Sequence, residues 1–486
     1  MPALLERSIW ENRYFDGAWQ PAPSRLSIRE PATGECLGIA GGGTPELAVK
    51  LTYRASEVQQ DWADTPPDQR ARILREAARI IESNQQEIAE WIIRETGGVR
   101  PKAEYEIAIA MGELHHSAAL LTQPVGQILP SADPERLSFA RRVPVGVASV
   151  ITPWNVPLVL SMRSVAPALA LGNAVVLKPD PQTPISGGFL LARVFEEAGL
   201  PPGLLNVLPG GADVGEALVT APAVRLVTFT GSSAVGRRVG ELAGRELKKV
   251  SLELGGNSPM IVLDDCDLDA ASSAGAWGSF LHQGQVCMAT SRHIVHRKVA
   301  EKYVEKLAAR AAVLPIGDPF REPVAIGPLI NEKQLNRVQG IVADSVAAGA
   351  KLVTGGTHSG LFYTPTVLSD VATETRAFQE EIFGPVAPVT IAEDDEHAIA
   401  LANSTGYGLA AAVQTGSVDR GFRIARKLRA GMVHVNDQTV NDHPGIPMGG
   451  MGQSGNGTRF GSTTNMDEFT EWQWFTVGGR QVRYPF

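Results

Sequence analysis

Two residues of this chain have the types and spacing to act together on a carbonyl group. Cys287 lies in Gln283-Gly284-Gln285-Val286-Cys287-Met288-Ala289-Thr290, and Glu253 lies upstream in Leu252-Glu253-Leu254-Gly255-Gly256-Asn257. A thiolate attacks a carbonyl carbon, and a carboxylate can then activate water against the thioester that oxidation leaves behind. The pair is a minimal kit for covalent oxidation of an aldehyde. A lone cysteine is more often a small buried hydrophobe, but the Gln, Gly and Thr around Cys287 argue against simple core filling. Cys36 and Cys266 have no such setting and read as structural or incidental.

Other segments carry chemistry of their own. In Thr152-Pro153-Trp154-Asn155-Val156-Pro157 two prolines fix the backbone around a Trp and an Asn. A rigid Asn amide can stabilise an oxyanion together with a backbone N–H, although an ordinary proline turn has the same look. Gly231-Ser232-Ser233-Ala234-Val235-Gly236 offers free backbone N–H groups and a helix dipole to a phosphate; a plain strand-to-helix turn is the simpler reading. Glu381-Ile382-Phe383-Gly384-Pro385 puts a carboxylate and a ring on one turn, a pair suited to a ribose and a nicotinamide. The GxGxxG match at 450–455 follows no βαβ strand and reads as a glycine-rich lining loop rather than a phosphate cradle. His115 and His116 are adjacent and face different ways on a helix, and no metal cluster is visible. A Gly-x-Ser-x-Gly elbow is absent, which argues against a serine hydrolase.

The elements that must position these residues follow from periodicity. Residues 68–96 read as one long amphipathic helix, with Ile73, Leu74, Ala77, Ile80, Ile81, Ile88, Trp91 and Ile92 near helical spacing and Gly97-Gly98 ending it. From about 145 the pattern changes to short apolar runs alternating with helical stretches. Strands are expected at 145–151, 174–177, 205–208, 226–229 and 250–254, with a helix over 186–198. That alternation indicates an α/β fold with a doubly wound parallel sheet, whose ligands bind at the carboxyl ends of the strands. Trp154 and Asn155, Lys178, Gly210-Gly211, Thr230–Ser232 and Glu253 all fall at such ends. A second α/β region runs from about 255 to 446, opens with a strand at 259–263 and holds Cys287. The tail from Trp472 to Phe486, with Trp474, Phe475, Val477, Val482 and Tyr484, is aromatic, strand-like and awkward for a monomer.

Totals narrow the class. At 486 residues the chain exceeds one hydrophobic core and predicts two or three domains. The net charge of −8 gives no basic footprint for nucleic acid. Three scattered cysteines form no disulfide framework and suit a reducing cytoplasm. The N-terminus has no apolar signal region, and no run approaches the ~18 apolar residues of a membrane span.

Taken together and in this order, Thr152–Pro157, Lys178-Pro179, Phe229–Gly236, Leu252–Gly256, Gly284–Cys287, Glu381–Pro385 and Pro447–Gly455 resemble the aldehyde dehydrogenase superfamily across essentially the whole chain. Lys178-Pro179-Asp180-Pro181, His282–Met288, Asn436–Val440 and Tyr484-Pro485-Phe486 look most like bacterial benzaldehyde dehydrogenases. The resemblance implies a Rossmann-like cofactor domain over 1–122 and 143–253, to which 447–469 returns, and an α/β catalytic domain over 254–446. It also implies small β oligomerisation segments at 123–142 and 470–486, and hence a homodimer or homotetramer. It implies Cys287 as nucleophile, Glu253 as base and Asn155 in the oxyanion hole. NAD or NADP would be held by Ile151, Trp154, Lys178, Gly211, Gly215, Thr230, Gly231, Ser232, Gly236, Leu254, Glu381 and Phe383. Lys178 would contact the adenosine ribose, Ser232 a phosphate, Glu381 the nicotinamide ribose and Phe383 the ring.

One departure bears on the cofactor. Where many NAD-preferring members carry a Glu three residues after the lysine, this chain has Pro181, which cannot repel a 2′-phosphate. The expected substrate pocket, Val156, Leu160, Arg163, Val286 and Met288, is mostly apolar and suits a flat aromatic aldehyde. Arg163 leaves two alternatives open: pairing with a carboxylate or phenolate of the substrate, as in a semialdehyde dehydrogenase, or facing solvent or a neighbouring helix. A CoA-acylating enzyme is disfavoured because Glu253 supplies a hydrolytic base. A catalytically silent binding protein is disfavoured because both Cys287 and Glu253 are present.

Overall fold

The computed structural model describes residues 3–481 and 483–486. The expected parallel strands form the heart of a seven-stranded sheet, in the order Lys249–Glu253, Val224–Thr230, Val147–Ile151, Ala174–Lys178, Leu205–Val207, Arg13–Phe15 and Trp19–Pro21. The first five are parallel, and the two N-terminal strands extend the sheet antiparallel. The five parallel strands start in the middle, at Val147–Ile151, and wind outward in both directions. A crevice therefore opens at the carboxyl ends of Val147–Ile151 and Val224–Thr230, where such sheets take their ligands. Register brings Thr230 beside Glu253, and Ile151 beside Lys178.

A second seven-stranded sheet runs Lys351–Thr354, Thr366–Ser369, Val386–Ala392, Thr290–His296, Ser258–Val262, Ala410–Gln414 and Met432–Val435. All its neighbours are parallel except the first pair. Each sheet has apolar cores of its own. One core draws on residues 4–254 with Phe460 and Phe469, and two others draw on residues 260–428. A third, small sheet pairs Thr470–Gly478 antiparallel with Arg136–Pro144, which also pairs with Gly126–Ile128.

Three expectations need correction. The helix expected over 68–96 is two helices, Pro67–Ser83 and Gln85–Thr96. Asn84 leaves helical backbone at φ −124° and returns its side-chain amide to the Ile80 carbonyl at 2.7 Å. The apolar period runs through the break because both helices bury the same side, Ile80, Ile81, Ile88 and Ile92, in one core. The helix expected over 186–198 opens instead with a π-helical turn, Ile185–Phe189, before Leu190–Glu197. Buried Glu95 accepts the Ile185 and Ser186 N–H groups there. The tail strand ends at Gly478; Tyr484 and Phe486 are exposed beyond it, and Val482 lies outside the described residues.

Candidate active site

Cys287 sits in the turn between the short 3₁₀ segment Leu281–Gly284 and the strand Thr290–His296. The turn lies against the end of the Lys249–Glu253 strand and the glycines that follow it. A Cβ on Gly256 would strike the Cys287 carbonyl, and one on Gly255 would strike the Glu381 carboxylate. Those glycines exist to let three segments meet. Asn155, fixed between Pro153 and Pro157, is buried, and its side-chain amide donates to the Gln285 carbonyl at 2.9 Å, two residues before the thiol. Glu253 is also buried, and neither carboxylate oxygen has a hydrogen-bond partner. Its backbone bridges to Gly455, and the Leu254 N–H donates to the Ser454 carbonyl at 2.9 Å. The GxGxxG segment is thus a loop that props Glu253.

Two cavities meet at Cys287. The smaller, about 10 Å³, is lined by Leu160, Arg163, Ser164, Thr230, Glu253, Leu254, Cys287, Met448 and Phe460; that is room for roughly one water. The larger, about 700 Å³, shares Leu160, Thr230, Leu254 and Cys287 with it and extends along Trp154, Asn155, Gly231–Ala234, Glu381 and Phe383. Its opposite wall is Ile330, Asn331, Lys333, Gln334, Arg337 and Tyr407.

The larger cleft fits an extended dinucleotide. Ser232 caps the thirteen-residue helix Ser233–Arg245, whose first turn lies on the cleft. A Cβ on Gly236 would collide with Leu254, so glycine there lets the helix approach the strand end. The Trp154 and Phe383 rings meet edge to face at 5.5 Å, and Phe383 holds a left-handed backbone at φ 57°. Glu381 accepts the Gly256 N–H through Oε1 at 2.8 Å. Lys178 is buried below the cleft, with Gly215 against its stem.

Electrostatics set the resting state. Burial, reinforced by the Glu381 and Glu253 carboxylates, pushes the Cys287 thiol up to about 12. Burial holds the Glu253 carboxyl well above its ordinary value, against the opposing pull of Arg163 and Arg459. Glu381 is pushed up to about 7, again by burial. Burial lowers Lys178, against the opposing Asp180 and Asp213.

Of its two alternatives Arg163 takes the second: it packs against a neighbouring helix rather than facing solvent, although it also borders the small cavity beside Cys287. It is buried between Glu113 of the helix Arg100–Leu120, at 3.0 Å, and Asp442, with Met448 Sδ at 3.4 Å. Burial works against its charge, but Asp442 and Glu113 outweigh it and raise its pKa.

Of the other residues singled out in the sequence, Trp154, Asn155, Leu160, Thr230, Gly231, Ser232, Leu254, Glu381 and Phe383 line the cleft with Cys287. Ile151, Lys178, Gly211, Gly215 and Gly236 are not among its lining residues. Neither are Val156, Val286 and Met288. Val286 and Met288 instead pack with Leu409, Ala410, Met432 and Met448 behind the nucleophile turn. The sequence reading missed the opposite wall of the cleft, which comes from 330–337 and carries no motif. It also missed Met448 and Phe460 in the small pocket and the buried partners Glu113 and Asp442. Among the described residues no group of three or more His, Cys, Asp or Glu is placed to hold a metal.

Comparison with known proteins agrees with this architecture. The aldehyde dehydrogenase family model matches residues 19–475. An NAD(+) benzaldehyde dehydrogenase of Pseudomonas putida is 50% identical, and a vanillin dehydrogenase of Amycolatopsis sp. is also 50% identical; each match covers 100% of both chains. A salicylaldehyde dehydrogenase of Pseudomonas putida G7, solved in complex with salicylaldehyde, superposes with a TM-score of 0.94 at 34% identity over 98% of this chain and 99% of that one. The chain belongs to the aldehyde dehydrogenase family.

Proposed function

We propose that this enzyme oxidises an aromatic aldehyde to its carboxylic acid with NAD(P), using Cys287, Asn155 and Glu253. The observation that carries the reading is the water-sized pocket in which an unpartnered, buried Glu253 carboxylate faces the same small space as the Cys287 thiol. It adjoins a cleft long enough for a dinucleotide.

The residues act in sequence. Cys287, as thiolate, attacks the aldehyde carbon, and the carbonyl π pair moves to oxygen. The Asn155 amide swings from the Gln285 carbonyl and, with the Cys287 N–H, holds that oxyanion. A bound nicotinamide supplies the hydride acceptor that turns the tetrahedral adduct into a thioester. Glu253 then takes a proton from water as the water oxygen attacks the thioester carbon. The C–S bond breaks, the acid leaves and the thiolate returns. We assign Lys178 to the adenosine ribose, Ser232 to a phosphate, Glu381 to the nicotinamide ribose and Phe383 to the ring. The remaining cofactor residues, Ile151, Trp154, Gly211, Gly215, Thr230, Gly231, Gly236 and Leu254, shape the surface around it.

An aromatic substrate is supported by the engagement of Arg163. Its guanidinium is already engaged by two carboxylates, so it is not itself free to take the second charge of a semialdehyde. Benzaldehyde and vanillin are what two full-length relatives are named for. Pro181 brings no carboxylate to repel a 2′-phosphate, so NADP is tolerated alongside NAD. We further read 1–122, 143–253 and 447–469 as the cofactor domain and 254–446 as the catalytic domain. The strands from 123–142 and 470–486 make a homodimer or homotetramer, and the compartment is a reducing cytoplasm.

A steady-state panel tests this: benzaldehyde, hydroxylated benzaldehydes, hexanal and succinic semialdehyde, each with both cofactors, on wild type and Cys287→Ala. Aromatic aldehydes should give the highest kcat/KM, and the variant should lose turnover while still binding cofactor. Better turnover of succinic semialdehyde, or activity surviving in Cys287→Ala, would overturn the reading. A preference for NAD beyond about a thousandfold, roughly 4 kcal/mol, would remove NADP.

A further inference from the structure

The segment just before the nucleophile is wound in an unusual way. His282 and Gln283 are consecutive non-glycine residues with left-handed backbone, φ 50° and 58°. Left-handed backbone is unfavourable for a residue with a Cβ, so the surroundings must hold them there. Gln283 is held by its amide, which donates to the Gly97 and Pro328 carbonyls at 2.7 and 2.9 Å. Gln285 accepts the Ile330 N–H at 3.0 Å and takes the Asn155 amide on its carbonyl.

His282 has no such ties. Its side chain is wholly buried and neither ring nitrogen has a hydrogen-bond partner. An imidazole buried without partners is costly, and its surroundings are polar. Lys102, Gln283 and the Asn155 backbone act on the ring, and the Gln283 Oε1 is itself unpartnered. Burial and the Lys102 ammonium keep the ring neutral. Lys102 is paired with Glu106, both buried, and Glu106 Oε2 accepts the Leu158 N–H at 3.1 Å. Leu158 is at the start of the helix Pro157–Ala170 that Asn155 leads into. Gly98 makes the room: a Cβ there would lie 2.9 Å from the Lys102 stem and 3.3 Å from His282 Nδ1.

Two segments that serve the proposed reaction, the Asn155 turn and the Cys287 turn, thus meet at one buried cluster. We propose that His282, packed with the Lys102–Glu106 pair that holds the Leu158 N–H, is the positioning residue of the oxyanion hole: this buried cluster sets the Asn155 turn against the Cys287 turn. The inference rests on the roles proposed above for Cys287 and Asn155.

Two reactions of the same thiol separate this role from a merely structural one. Acylation by p-nitrophenyl acetate passes through an oxyanion: the thiolate adds to the ester carbonyl, and p-nitrophenolate leaves as the thioester forms. Alkylation by iodoacetamide displaces iodide and makes no oxyanion. His282→Asn keeps a side chain that tolerates left-handed backbone but removes the ring; Lys102→Met keeps the stem and removes the charge beside the ring. In His282→Asn the acylation rate should fall about tenfold or more, with the iodoacetamide rate within about twofold. Lys102→Met should shift the same ratio in the same direction. An unchanged acylation rate in both variants, or acylation and alkylation falling in parallel, would overturn the assignment. Wild type that neither oxidises aldehydes nor is acylated would overturn it together with the function on which it rests.

Discussion

At Cys287 the surroundings hold the thiol in its protonated form rather than activating it. Burial and two carboxylates push the thiol up to about 12. The sign is that of an acid whose neutral form is favoured: below that value the thiol predominates, and the thiolate fraction rises about tenfold per pH unit. Cofactor-free enzyme should therefore react slowly with iodoacetamide at pH 7. The rate should keep climbing through pH 9–10, where an ordinary cysteine levels off. A plateau near pH 8.5 in a stopped-time alkylation series would contradict the electrostatic picture. Glu253 follows the same logic. Its raised pKa means the base is deprotonated late, so the hydrolytic half of the reaction should accelerate with pH beyond the usual carboxylate range.

Elements carry these residues, and their interest lies in how far apart in the chain they begin. The Arg163 cluster joins the helix Arg100–Leu120, the helix Pro157–Ala170 and the loop that holds Asp442. Tyr105 adds a hydroxyl donated to the Asp442 carbonyl at 2.9 Å. Removing the one cation leaves two buried carboxylates facing each other. Arg163→Met should cost about 3–5 kcal/mol in urea unfolding, and recovery should come only when Asp442 or Glu113 is neutralised as well. The sequence made the strand ends visible because buried parallel strands are continuous apolar runs, and the residues following each run must lie at the crevice. It could not make the Arg163 cluster visible, because Asp442 lies 279 positions away in a loop without periodicity. Nor could it separate the two helices at Asn84, where one amphipathic stripe continues through a break in hydrogen bonding. Val286 and Met288 illustrate a third limit. Adjacency to Cys287 in sequence says nothing about which way a turn points them, and they point into packing.

At the scale of the whole molecule the small sheet is the unfinished part. Thr470–Gly478 pairs along its full length with Arg136–Pro144, yet Trp472 and Trp474 remain 50% and 68% exposed, with Leu137, Val477 and Ile128 also uncovered. Apolar surface of this kind on a paired strand suits the subunit interface proposed above. Light scattering should give a dimer or tetramer, and Trp474→Arg should shift it toward monomer with the far-UV circular dichroism unchanged. A monomeric wild type would refute that use of the tail.

The pocket behind Cys287 has a consequence for what the enzyme can make. A thioester is an acyl donor to any nucleophile, and methanol or a thiol would intercept it as readily as water does. The space beside Glu253 is about 10 Å³, room for roughly one water. On the mechanism proposed above, a larger molecule would be activated there poorly, and the acyl group would go to the free acid by exclusion of its competitors rather than by any preference of the chemistry. Turnover of benzaldehyde in molar methanol should give benzoate with no methyl benzoate detectable by chromatography, and ester formation would show that the base works on a wider space.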